Sequence, residues 1–495
     1  MTELELKFRF PDPALHALRS ALLEQGARRT RMQARYFDTA DGLLARHHIA
    51  LRLRLEGRRW VQTLKATGDG AVHRLEHEVL VAGPAGQVPV LDPCRHLGSD
   101  AGRALQAVLQ GAPEALLIER HATDVWRLHG LLRDANGTQV EAALDVGSVS
   151  SGARTTPIVE VELEHKSGPV QGLFDLATAW VAQHGLWLST ITKAHRGQRL
   201  LMEAAADGDT ARAVSAGRAL LLDGTDGASL LRALLQSTLD QVLANASEVA
   251  DGVVAAPVIH QLRVGLRRLR TVVRELAALS PMLNAELDAP LSVVFGRLGQ
   301  QRDLQALGPA VQPLLHAAGA PLSTLPATPA ADPVAAVRET AFQTALIALL
   351  ALAHAGDERF ARLSHKETLR HVAGRLDKLH RGLADESKHF EALPIARQHR
   401  ARKRLKRLRY LAELTAALWP RKAAAQQYLK RLRAAQDALG THNDVAVAAE
   451  AFRVAASRQP EAWFSAGYLQ AHLAVTARGA GRALIKVADG KRFWT

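Results

Sequence analysis

The chain has almost no cysteine: Cys94 is the only one in 495 residues. That excludes an intrachain disulfide framework and a multi-cysteine zinc site. It lacks any apolar run long enough to cross a bilayer. It opens directly on a charged strand, so neither a signal peptide nor a membrane helix is expected. A cytoplasmic protein that does not engage membranes follows as the expectation. Low-hydrophobicity tracts are missing too: 47% of the residues are hydrophobic, which excludes extensive disorder. At 495 residues a single core is excluded as well, and two or three domains are expected.

Acid is in deficit, and unevenly. The net charge is +14. Residues 1–203 hold 24 basic and 23 acidic side chains, while the remainder holds 39 and 26, a net of +13. The first part is balanced. The second is a polycation, suited to a polyanionic partner.

What is present first is a strand, Glu3–Phe10, alternating with period two. Leu4, Leu6, Phe8 and Phe10 share one face; Glu3, Glu5, Lys7 and Arg9 share the other. Alone, this strand does not choose between a wet exterior and the lining of a polar cavity. The pattern recurs. Arg52 and Arg54 share a face, as do Glu76 and Glu78, and Glu160, Glu162 and Glu164. Residues 1–203 read mostly as strands, with helices over about 13–26 and 169–184; the run Ser189–Arg196 closes this part. Rows of like charge repel on a flat sheet, but in a closed antiparallel barrel they converge on one interior. Such an interior is costly unless it holds a ligand that is both anionic and metal-bound, such as a polyphosphate.

Carboxylates suit a hard divalent ion, Mg²⁺ or Mn²⁺. If their strands face each other, Glu3, Glu5, Glu160 and Glu162 can hold one or two such ions. Lys7, Arg52, Arg54, Lys65, Arg127, Lys193 and Arg196 recur on separate strands or strand ends and suit phosphate oxygens. The competing reading is a set of paired surface salt bridges across the sheet.

After an Ala-, Gly- and Asp-rich linker, 204–227, the period changes to 3.6 and the chain reads as all helix to about residue 490. A Pro-rich connector, 317–335, divides it into halves of about 228–316 and 336–490. Each half carries His-x-x-Arg-x-x-Leu-(Arg/Lys)-Arg-Leu-Arg, at His260–Arg270 and His399–Arg409. A second motif follows in both, Leu298–Asp303 and Leu439–Asp444. The repeated order indicates a duplication and predicts two helical bundles related by a pseudo-twofold axis. His260, Arg263, Arg267 and Arg270 fall on one helical stripe, as do His399, Arg402, Lys406 and Arg409. These cation ladders suit a long polyphosphate. Solvated basic faces are the bland alternative, and nucleic acid is disfavoured because only Tyr410 lies beside the stripes to stack on bases.

The sequence Glu3-Leu-Glu5-Leu-Lys7 resembles the opening signature of the CYTH, or triphosphate tunnel metalloenzyme, family. The resemblance continues through Tyr36–Thr39, Leu51–Arg54, Leu64-Lys65, Ala143–Gly147 and Glu160–Leu163 to Lys193, Arg196 and Gly197. It implies an eight-stranded antiparallel tunnel over 1–203 with flanking helices. It implies that Glu3, Glu5, Glu160 and Glu162 hold metal, with Asp145 and Glu76 or Glu78 as further contributors, and that the seven cations named above hold phosphates. Residues 228–490 resemble the CHAD domain, a His- and base-rich helical module associated with polyphosphate.

The expectation is therefore a multidomain α+β protein. Its tunnel hydrolyses inorganic triphosphate with Glu5, Lys7 and Asp145 in catalytic roles, and its helical domain, all-α, binds polyphosphate. The alternatives are a non-catalytic polyphosphate-binding protein or a thiamine or nucleoside triphosphatase; cyclase activity has no adenine-selective feature to support it. Oligomeric state is not fixed by these patterns.

Overall fold

A computed structural model describes residues 2–67, 73–84, 86–112, 114, 116–205, 213–321 and 331–495; the side chains of 2–3, 67, 73–74, 203–205 and 300–310 lie outside the description. The first part is built on strands β1 (Thr2–Arg9), β2 (Arg28–Asp38), β3 (Ala50–Glu56), β4 (Arg59–Thr67), β5 (His73–Val81), β6 (Ile118–Arg133), β7 (Gln139–Ser151), β8 (Arg154–Ser167) and β9 (Trp187–Leu188). The antiparallel order is β5-β4-β3-β2-β6-β7-β8-β1-β9, and β5 also pairs with β1. That last pairing closes β1–β8 into a ring. The sheet therefore has nine strands among the described residues rather than the expected eight; the additional one is the two-residue β9, hydrogen-bonded to the end of β1. Gly57 and Gly152, both at positive φ, make the β3–β4 and β7–β8 turns that other residues adopt only under strain.

Helices α1 (Ala14–Glu24), α2 (Leu43–Arg46), α3 (Asp100–Gln110), α4 (Gln171–His184) and α5 (Lys193–Ala205) accompany the sheet. Helix α3 buries Ala101 and Leu105 against Leu51 and Leu64 of the sheet. It is absent from the sequence reading. The run Ser189–Arg196 is not a strand. Thr192 Oγ1 accepts the His195 N–H at 3.0 Å, capping α5, so Lys193 and Arg196 stand on its first turn.

Beyond lie α6 (Gly227–Ala250), α7 (Ala256–Glu275), α8 (Ala285–Ala317), α9 (Pro333–Arg338), α10 (Thr340–Ala353), α11 (His365–Ser387), α12 (Ile395–Thr415), α13 (Lys422–Ala455) and α14 (Ala462–Ala488). Pro333 opens α9, as proline can at a first helical position; Pro326 and Pro329 of the connector lie outside the described residues. No helix among the described residues is long and apolar enough to cross a membrane.

The chain forms two compact units that do not follow chain order. One comprises Met1–Gly217, Gln236–Gly265 and Val337–Ala355; the other Arg218–Leu235, Leu266–Ala336 and Gly356–Thr495. In the first, parts of α6, α7 and α10 accompany the sheet. In the second, Val311 and Leu315 of α8 pack with Val445 and Phe452 of α13 and Leu469 and Leu473 of α14. The duplicated motifs stand on matching elements. Helices α7 and α12 each run into a 3₁₀ turn of sequence Ala-Ala-Leu, Ala277–Leu279 and Ala416–Leu418, and then towards a helix of 33 or 34 residues.

Candidate active site

Strand alternation buries Leu4, Leu6 and Phe8 on one face of β1 and turns Glu5 and Lys7 to the other. That inner face bounds a cavity of about 1280 Å³. Lys7, Arg52, Arg54, Lys65, Arg127 and Lys193 all line it, from four strands and α5, as do Glu5, Glu76, Glu78, Asp145 and Glu162. The charged rows thus meet in one interior.

One wall is acidic. Register places Asp145 beside Glu160, Arg127 beside Asp145, and Lys7 beside Glu162. Oxygens of Asp145, Glu160 and Glu162 fall within 4.8 Å of one another. Lys193 Nζ reaches all three, at 2.7, 2.6 and 3.0 Å, and Arg127 donates to Asp145 and Glu162. Burial pushes the Glu162 carboxyl up, but Lys193, Arg127 and Lys7 outweigh it and hold the group well below the usual range. Asp145 is lowered in the same way, burial being overcome by Lys193 and Arg127. Burial depresses Lys193, yet the three acids hold it well above an ordinary lysine. Glu160 Oε2 is buried without a hydrogen-bond partner among the described residues. An all-oxygen set with an unsatisfied carboxylate oxygen fits Mg²⁺ or Mn²⁺.

The opposite wall carries bases with acids beside them. Arg52 lies 3.3 Å from the Tyr36 hydroxyl, Arg54 reaches Glu78 at 3.2 Å and also pairs with Glu56, and Lys65 pairs with Glu76. Burial, then the neighbouring Arg52, lowers Arg54 despite Glu56 and Glu78. Crowded, dehydrated guanidiniums of this kind attract an anion.

Other expected residues are placed differently. The side chain of Glu3 lies outside the described residues. Arg196 does not line the cavity; its guanidinium faces Asp251 at 3.3 Å. The cation ladders are not free of acid. Arg270 donates to Asp288 of α8 at 2.9 Å, and Arg409 to Glu413 at 2.8 Å. Arg267 stacks over Phe295 and reaches the Tyr410 hydroxyl. Tyr410 itself is buried, so it is not free to stack on a base. His260 is exposed, Arg263 is buried on the same helix, and His399 Nδ1 is 3.0 Å from Asn443 Oδ1. Arg402 and Lys406 share α12 with His399 and Arg409, and the side chains of Gln301, Arg302 and Asp303 lie outside the description.

Sequence reasoning missed the Tyr36–His121 stack, with ring centroids 4.5 Å apart, whose members also line the cavity. Burial and Arg120 push the His121 imidazole down to about 4. It also missed Glu248 of α6 as a lining residue; no local pattern links position 248 to the strands.

Comparison with known proteins accords with this geometry. Residues 1–197 match the CYTH domain family and residues 233–453 the CHAD domain family. The chain is similar to an inorganic triphosphatase of Haemophilus influenzae, 29% identical over 165 residues, which is 33% of this chain and 44% of the relative. It therefore spans less than half the length of that curated relative. Among solved structures it is similar to a CHAD domain from the plant Ricinus communis, at 24% identity and TM-score 0.45, covering 57% of this chain and 98% of that one. A Hippeastrum adenylyl-cyclase candidate that reveals a dominant triphosphatase activity is similar at 20% identity and TM-score 0.27, covering 38% of this chain and 89% of that one.

Proposed function

Because the chain is a CYTH domain followed by a CHAD domain, we propose that its tunnel hydrolyses inorganic triphosphate in the cytoplasm and that its helical domain binds longer polyphosphate. The carrying observation is one cavity that gathers Arg52, Arg54 and Lys65, with their neighbouring glutamates, on one side and Asp145 and Glu162, close to Glu160, on the other. A linear triphosphate bears about four negative charges; the cations orient it and neutralise part of that charge. Asp145, Glu160 and Glu162, with Glu5 on the adjoining strand, are the residues that would hold a divalent ion. When bound, Mg²⁺ or Mn²⁺ supplies positive charge at the phosphoryl oxygens.

Lys7 and Lys193 bring ammonium groups to the terminal phosphoryl group. Glu5 orients a water for attack on the terminal phosphorus as the bridging P–O bond breaks and diphosphate leaves. Asp145 acts on Arg127 and Lys193, fixing both cations, rather than as a base. Positioning and charge do most of the work in such a transfer.

The test is phosphate release by the full chain from tripolyphosphate, thiamine triphosphate and ATP, with each metal. Tripolyphosphate should be turned over fastest. Glu162→Gln should cut turnover by about 100-fold or more while still binding. Absence of turnover by the unaltered chain with either metal would end the reading. For the helical domain, polyphosphate should displace RNA of equal charge, and Arg267→Ala with Lys406→Ala should weaken it. Equal competition by both polyanions would remove the polyphosphate assignment.

A further inference from the structure

Lys193 is delivered to the acidic wall by a segment held from two directions, by β1 and by helices later in the chain. Residues 189–192, between β9 and α5, form no regular structure. Lys7 of β1 accepts the Ser189 N–H at 2.8 Å and donates to the Ile191 carbonyl; the other ties come from far along the chain. The Leu188 N–H donates to Gln343 Oε1 of α10 at 2.8 Å, and the Thr190 N–H to Ser247 Oγ of α6 at 2.9 Å. On α5, one turn past Lys193, Arg196 faces Asp251; a further turn on, Arg199 pairs with Glu248. Asp251 also pairs with Arg9 of β1.

Glu248 and Asp251 sit at the wrong end of a helix. They occupy the last turn of α6 and the position just past it, where the macrodipole disfavours anions. Both side chains are almost wholly buried, at 4% and 7% exposure. Such carboxylates are destabilising unless cations meet them, and Arg9, Arg196 and Arg199 do. On the far side of α5 a Cβ at Gly197 would lie 2.1 Å from the His121 ring, so the helix has no freedom to move toward β6.

We propose that Ser247, Glu248 and Asp251 are positioning residues for Lys193: Ser247 holds the segment before α5, the two carboxylates hold α5 itself, and the clamp so formed keeps its first turn, and so the ammonium, against Asp145, Glu160 and Glu162. The end of α6 is on this account a working part of the tunnel. The mechanical claim stands on the contacts alone; its catalytic consequence rests on the triphosphatase reading.

Two measurements on the full chain test it. In Glu248→Gln/Asp251→Asn, hydrogen exchange of peptides spanning 189–205 should rise by about tenfold or more, with β7 and β8 unchanged. The milder Arg199→Gln should give the same pattern. Unchanged exchange at 189–205, or an equal rise throughout the sheet in both variants, overturns the clamp whatever the cavity binds. In a double-mutant cycle on tripolyphosphate, the α6 pair should lower kcat by about 10- to 100-fold when Lys193 is present and have no further effect in Lys193→Met. A full additional loss in that background overturns Lys193 as the group positioned. Should the unaltered chain release no phosphate, the functional reading falls and the exchange result still decides the clamp.

Discussion

Glu160 is wholly buried, and only one of its oxygens is engaged, by Lys193. The oxygen that Lys193 leaves free is the one that would meet a divalent ion. Adding Mn²⁺ or Mg²⁺ at about 100 times its dissociation constant should stabilise the chain by about 2.7 kcal/mol, read as a rise in Tm. Glu160→Gln should lose most of that rise. A second residue-scale case is His96, fully buried and lowered to about 4 by burial, then by His77 and Arg95. In the unfolded chain it titrates near 6.5. Its folded value is the lower one, so the unfolded state takes up the proton first. The stability it contributes is complete above about pH 6.5 and is lost as pH falls towards about 4. The urea midpoint should therefore drop between pH 7 and pH 4.5, and His96→Asn should flatten that drop.

At the scale of elements, α5 fits closely against the sheet. Leu200 packs with Val125, Val149 and Ile158 of β6, β7 and β8, while Gly197 meets His121 with no room for a Cβ. Gly197→Ala should destabilise by about 1–3 kcal/mol through overpacking and, by shifting Lys193, reduce turnover more than stability alone explains; thermal melting and kcat read the two separately. The inner faces of the strands were legible because period-two alternation is local: Glu5 with Lys7, Arg52 with Arg54 and Glu160 with Glu162 announce a shared face from the sequence alone. Helix α5 was not, because Lys193–Gly197 reads equally as the end of a strand until the Thr192 cap is seen. The acids beside the cation ladders were hidden for another reason. Asp288 reaches Arg270 from a different helix, and no spacing rule within α7 contains it. Ser247, Glu248 and Asp251 lie more than forty residues beyond Arg199, and side-chain pairing at that distance leaves no periodic trace.

At the scale of the molecule, family boundaries and compact units diverge. The sheet's unit draws in Gln236–Gly265 and Val337–Ala355, segments that belong by sequence to the helical domain. A fragment ending at residue 203 would leave Arg9, Arg196 and Arg199 without Asp251 and Glu248 and the Leu188 N–H without Gln343. Its turnover should fall by about tenfold or more relative to the full chain, and its melting should broaden.

The detour has a temporal side. A ribosome adds roughly 5–20 residues per second, so the strands of the tunnel emerge well before α10, whose Gln343 holds the end of β9. Synthesis from α5 to the end of α10 takes roughly 8–30 s at that pace, and through that interval the nascent barrel waits with the Leu188 N–H still to meet its acceptor.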